Sequence, residues 1–244
     1  MKIAGVQPDT AVYNTLINAC AGSGEVDKAL ESLRSMRTEG LEPDIITYTS
    51  LIKACMIHLP TIMHRNCDES AEVKVSAIES TVALAEDLFS AMQQRTNHFS
   101  TYIAPNELTY QRLIQTHWTA VTLLINSSHS NNHSGNALPL HVQAHLTRIW
   151  SLYEAVRSNG MSPGSQGYGC CVRAARLQQN IAQGLQVLEH IRADPAMLSS
   201  LDDYRKGKAG FDLKCWQIVA SLANVLGLVT TEQQLLKEIN AEIS

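Results

Sequence analysis

The sequence predicts an all-α solenoid of helix-turn-helix repeats, and three observations carry that prediction. Tyr13, Leu16, Ile17, Ala19 and Cys20 recur as Tyr48, Leu51, Ile52, Ala54 and Cys55, while Met1, Gly5, Pro8 and Asp9 recur as Met36, Gly40, Pro43 and Asp44, nine matches at one offset of 35 residues. Within each unit the apolar residues return at three- and four-residue spacing, the mark of amphipathic helices. Glycine and the Pro-Asp pair fall at the same places in successive units. A fixed period of this length marks a repeat array. One helix pair this short cannot bury its own apolar face, so it must stack on neighbours.

In chain order, residues 1–9 read as the tail of a truncated repeat, so further repeats and any organelle address are expected upstream. The first complete repeat spans 10–44. Asp9 is placed to cap its first helix, whose stripe is Tyr13, Leu16, Ile17 and Cys20. Gly22-Ser23-Gly24 breaks that pattern, Glu25 and Asp27 favour a new helix start, and Val26, Ala29, Leu30, Leu33 and Met36 form the second stripe. Gly40 supplies the left-handed stop.

The second repeat, 45–106, is oversized: its first helix is expected to run to about Ile57, and the Cys55-to-Ala85 interval is 21 residues longer than its counterpart in the first repeat. Part of this insert, 70–84, is expected to extend the second helix backwards. The third repeat, 107–164, carries Tyr110, Leu113, Ile114 and Trp118, then a polar run at about 126–136 that reads as a disordered loop, then Ile149, Leu152, Tyr153 and Val156. The fourth, 165–195, carries Tyr168, Cys171, Val172 and Ala175, then Val187, Leu188 and Ile191. Residues 196–244 read as a connector and a terminal helix pair, a degenerate repeat or a cap.

With 45% hydrophobic and 17% charged residues among 244, the chain has the composition of an ordinary folded array. Its net charge of −4 argues against nucleic acid, because such binders draw affinity from Lys and Arg at phosphates. No apolar run is expected to span a bilayer, the longest candidate, 216–229, being interrupted by Gln217, Ser221, Asn224 and Gly227. No membrane partner is therefore expected. The six cysteines show neither metal-ligand spacing nor a secreted framework; Cys20 and Cys55 read as buried small hydrophobes, and Cys170 and Cys171 as split between core and flank.

The unit resembles a pentatricopeptide repeat. Val12-Tyr13-Asn14-Thr15-Leu16-Ile17 stands where that family's first helix begins, and Met36, Gly40 and Pro43-Asp44 stand where its repeat closes. The resemblance implies a right-handed α-solenoid whose repeats each meet one base of single-stranded RNA, read by the fifth and last residues of the repeat. Carried onto this sequence, the base-reading residues are Asn14 with Asp44, a pair the family associates with uracil, and Thr49 with Asn106, associated with adenine. The base-sandwiching residues, second in each repeat, are Ala11, Ile46 and Leu108. The third repeat offers Gln111 with Gly164 and the fourth Gly169, which form no reading pair, and the family's lysine near the end of the first helix is replaced by Gly22 and Ile57. Without the resemblance, Asn14 and Thr49 read as polar residues on a solvated helix side, and Asp44 and Asn106 as helix N-caps.

His141 and His145, like His129 and His133, have a four-residue spacing that can place two imidazoles on one helix face. Neither pair has an evident carboxylate or cysteine partner, and solvated surface histidine is the better account, as for His64 beside Cys67. No metal or other cofactor is expected. No phosphate loop, nucleophile elbow or zinc-protease helix motif occurs, and no enzymatic activity is expected. By resemblance, the expected function is non-catalytic binding of single-stranded RNA in a mitochondrion or plastid, supporting RNA processing, stability or translation. The alternative is a protein scaffold within an organellar ribonucleoprotein, with RNA reading lost.

Overall fold

The structure, a computed structural model, describes residues 8–65, 70–94, 103–128 and 138–194, with the single positions 233 and 237. Eight helices and no strand occur among the described residues. The all-α repeat class holds. The helices fall into two compact units, one ending at Arg148 and one beginning at Ile149.

In the first unit, α1 (Thr10–Gly22) pairs with α2 (Val26–Thr38), and α3 (Ile45–Arg65) with α4 (Ala71–Gln93). The first pair stacks on the second through α1 and α2 against α3, and α5 (Glu107–Ser128) then packs on α3 and α4. The stripes explain this order. Tyr13, Ile17, Cys20, Ala29, Leu33 and Met36 are buried from the first pair, and Tyr48, Leu51, Ile52 and Cys55 from α3. Asp9 caps α1 as its sequence predicts, accepting from Val12 N–H at 2.9 Å.

The first helix of the second repeat does not stop near Ile57. It continues through Pro60 to Arg65, because Leu59 and Ile62 prolong the apolar stripe and are buried. Pro60 itself is exposed, so its ring faces solvent while the helix loses one backbone hydrogen bond. The extension crosses the turn between α1 and α2, where His58 Nδ1 donates to the Gly24 carbonyl at 3.0 Å. Gly24 has φ 68°, which favours glycine, and a Cβ there would lie 3.3 Å from the backbone of Ile57 and His58, a tight contact that would press on α3. By length and composition, Ile45–His64 is apolar enough to cross a membrane, which corrects the expectation from sequence. Its central position among α1, α4 and α5 gives it the character of a core helix.

The inserted residues lengthen α4 backwards to Ala71, where Ser70 caps it by accepting from Val73 N–H. The disordered loop expected at about 126–136 does not include residues 126–128, which complete α5, and the rest of it lies outside the described residues. Helix α6 (Leu140–Ser158) continues from the first unit into the second. There α7 (Gly164–Leu177) packs on α8 (Ile181–Ala193), and Tyr153, Tyr168 and His190 form a ring cluster in which Tyr153 O–H bonds His190 Nδ1 at 2.5 Å. Cys170 is buried along with Cys171, so neither occupies a flank. The predicted connector and terminal pair, apart from positions 233 and 237, lie outside the described residues.

Candidate nucleic-acid interface

One groove of about 700 Å³ opens along the N-terminal turns of α1, α3 and α5, within the first unit. Its lining contains all seven residues singled out in the sequence: Asn14, Asp44, Thr49 and Asn106, with Ala11, Ile46 and Leu108. The helical stacking places them there, because equivalent first turns of consecutive repeats lie side by side. Ile46 and Leu108 project into solvent, 57% and 44% exposed, and Ala11 is exposed beside them. An exposed aliphatic ladder is unusual for a solvated helix side and offers flat apolar surface to a planar ligand.

Asn14 and Thr49 are not solvated polar residues; each is only 8% exposed. Burial of an amide or hydroxyl demands partners, and the partners come from the next repeat. Asn14 Nδ2 donates to Asp44 Oδ1 and Oδ2 at 3.1 and 3.0 Å. Asn14 Oδ1 accepts from the Thr47 hydroxyl at 2.5 Å. Asp44 is also the helix cap foreseen for it, accepting from Thr47 N–H at 2.8 Å while its own N–H donates to Thr47 Oγ1 at 3.1 Å. The second site repeats this plan. Thr109 N–H and hydroxyl both donate to Asn106 Oδ1, at 2.9 and 2.8 Å, and Thr49 Oγ1 lies 2.8 Å from Thr109 Oγ1.

Thr47 and Thr109 are the residues that sequence reasoning missed. Both are fully buried and both are third in their repeat. A signal existed in Pro43-Asp44-x-x-Thr47 and Pro105-Asn106-x-x-Thr109, a shared capping spacing at the start of two repeats. Asn18 also lines the groove, and Lys53, the equivalent residue of the next repeat, donates to its Oδ1 at 3.1 Å. This brings an ammonium group to the groove's border.

The histidine reading needs correction. His145 is buried and does have a carboxylate partner, Glu79, 3.2 Å from its Nε2; its Nδ1 lies 3.0 Å from Nδ1 of the equally buried His117. His117 Nε2 in turn meets Glu86 at 2.8 Å, and Arg148 clamps both oxygens of Glu86 at 2.7 and 2.8 Å. Burial alone would raise the Glu86 pKa, but hydrogen bonds from His117 and Arg148 outweigh it and hold the carboxyl at about 2. Burial pushes His145 below the usual imidazole range, against the pull of Glu79 and with help from His117 and His141. These contacts form a hydrogen-bonded chain, buried at its two histidines and with Glu86–Arg148 as its ion pair, that joins α4, α5 and α6. No group of three or more potential metal ligands occurs among the described residues, and His129, His133 and Cys67 lie outside them.

Comparison with known proteins gives a match to part of the chain. Residues 8–56 match the PPR repeat family. No match was found among curated proteins. Among solved structures the chain is similar to the pentatricopeptide repeat protein PPR10 from maize, at 17% identity and a TM-score of 0.25, covering 98% of this chain and 40% of that one. It is also similar to PPR10 in complex with an 18-nt psaJ RNA element, at 17% identity and a TM-score of 0.23, covering 96% of this chain and 44% of that one. The chain thus spans less than half the length of these structures. The PPR match thus covers the first repeat and the start of the second, the two units that the offset of 35 residues relates.

Proposed function

We propose that this chain binds single-stranded RNA in the α1–α3–α5 groove, without catalysis, reading two successive bases. The observation that carries the reading is the convergence of Asn14/Asp44, Thr49/Asn106 and the Ala11, Ile46 and Leu108 ladder on one groove. Each polar pair sits between two apolar second-position residues, the arrangement a stacked base with an exposed edge requires. Asn14 and Asp44 meet uracil and Thr49 and Asn106 meet adenine, following the family's pairing. Lys53 is available to a phosphate at the groove's border. The family resemblance supports a role in a mitochondrion or plastid, in transcript processing, stability or translation.

The net charge of −4 favours the second reading, a protein scaffold in an organellar ribonucleoprotein. One titration separates the two. Fluorescence anisotropy of the full chain with labelled single-stranded RNA containing a uracil-adenine step is expected to show binding that weakens with added salt. Asn14→Ala and Thr49→Ala are each expected to weaken it about tenfold. No binding even at low salt would remove the RNA reading and leave the scaffold.

A further inference from the structure

The two sites leave opposite hydrogen-bonding groups open. At the first, the Asn14 amide oxygen faces the Thr47 hydroxyl and its nitrogen faces Asp44. The single Thr47 hydroxyl proton has two acceptors in reach, Asn14 Oδ1 at 2.5 Å and Asp44 Oδ1 at 2.9 Å. It goes to Asn14, the shorter contact, because Asp44 Oδ1 is already occupied by Thr47 N–H and the Asn14 amide. A ligand in the groove therefore meets a donor, the second N–H of Asn14, and an acceptor, the outer side of Asp44 Oδ2.

At the second site the order is reversed. Asn106 Oδ1 takes two bonds from Thr109, so its amide nitrogen is the end presented to the groove. Thr109 has a single hydroxyl proton, and that proton goes to Asn106. The 2.8 Å contact between the two threonine oxygens must then use the proton of Thr49. Thr49 is left as an acceptor and Asn106 as a donor. A fifth-position donor with a last-position acceptor has become a fifth-position acceptor with a last-position donor.

We infer that Thr47 and Thr109 are specificity-determining positioning residues: each buried hydroxyl reaches back across a repeat boundary and fixes which hydrogen-bonding group the preceding repeat's fifth residue shows to a base. This rests on the base-contact reading above. Uracil and guanine carry a ring N–H beside an exocyclic carbonyl, whereas adenine and cytosine carry a bare ring nitrogen beside an exocyclic amino group. With the last residue at the ring nitrogen and the fifth at the exocyclic group, the first site accepts the uracil or guanine edge. The second accepts the adenine or cytosine edge. The third position of the fourth repeat is Gly167, which has no hydroxyl.

The test uses the full chain and RNAs that reverse edge polarity while keeping base size: uracil against cytosine at the first site, adenine against guanine at the second. Wild type is expected to prefer uracil and adenine about tenfold each. T109V is expected to reduce the adenine preference to about twofold and leave the uracil preference intact, while T109S retains both. T49V, which removes the acceptor but keeps Thr109, reaches the same loss by a second route, and T47V against T47S gives the mirror result at the first site. Thermal melts report folding separately. A threonine that merely supports the fold would lower affinity for all RNAs alike in T109V and leave the ratio unchanged, which overturns this inference alone. Absence of any base preference in wild type overturns the base-contact reading itself, and this inference with it.

Discussion

The Asn14 amide nitrogen lies 3.1 and 3.0 Å from the two carboxylate oxygens of Asp44, a contact that joins the first helix of one repeat to the cap of the next across 30 residues. The fifth and last residues of the repeat are thus a bonded pair before any ligand arrives. A site whose polar groups are already ordered loses less conformational entropy on binding. The same bond ties the repeats to one another, so the proposed base contact and the stacking of repeats share the same atoms.

A double-mutant cycle measures that bond. Asp44→Ala also removes the α3 cap, which costs about 1–2 kcal/mol. Asn14→Ala and Asp44→Ala together are expected to be less harmful than their sum, with a coupling of about 1–2 kcal/mol by urea denaturation. Strict additivity would mean that the pair is not formed in solution.

Acid should unfold the first unit in two stages. His145 has a folded-state pKa below its ordinary 6.5, so the unfolded chain binds more protons and stability falls as pH drops through 6.5. Glu86 is held at about 2 against 4.5, so its contribution is present above pH 4.5 and is lost between there and about 2. The groups facing this pair are Glu79 on α4, His117 on α5 and His141 and Arg148 on α6. The urea midpoint is expected to fall from pH 7.5 to 5 and again towards pH 3, and E86Q is expected to flatten only the lower stage. A midpoint independent of pH between 7.5 and 5 would contradict this ordering.

Two backbone positions should respond with opposite sign. Pro60 is exposed inside α3, so Pro60→Ala restores a helix hydrogen bond and is expected to stabilise by about 1–3 kcal/mol. Gly24→Ala places a side chain at φ 68° against the α3 backbone and is expected to destabilise by about 1–2 kcal/mol or more. Thermal melts of the two variants decide both.

Cys55 should be inert in the folded chain. It is fully buried, and burial pushes its thiol up to about 12, so almost no thiolate exists at neutral pH. Peptide mapping after alkylation is expected to find Cys55 unmodified in native buffer and modified in urea. Labelling at similar rates in both would place it outside the core.

The parts of this account that were legible in sequence are those carried by period. The stripes of α1 and α2, apart from Leu16, which is exposed, and Leu30, which is only half-buried, the Asp9 cap and the Gly24 and Gly40 turns depend on neighbours a few residues away. The length of α3 was not legible, because proline is a stop signal locally and only the burial of Leu59 and Ile62 carries the helix past it. The Glu79–His145 contact spans 66 residues and exists because the insertion lengthens α4, so no spacing rule could find it. Thr47 and Thr109 went unread for a related reason: a threonine three residues after a cap looks neutral until the preceding repeat is seen leaning on it.

The most direct measurement follows the side-chain amides of Asn14 and Asn106 by nuclear magnetic resonance while a short RNA with a uracil-adenine step is added to the full chain. Both amides line the groove, and both are expected to shift in proportion to RNA bound, together with the methyls of Ile46 and Leu108. The amide of Asn180, which caps α8 in the second unit, is expected to stay in place. RNA-dependent shifts that avoid the groove, or no shifts at all at low salt, would contradict the assignment of this groove as the RNA-reading surface.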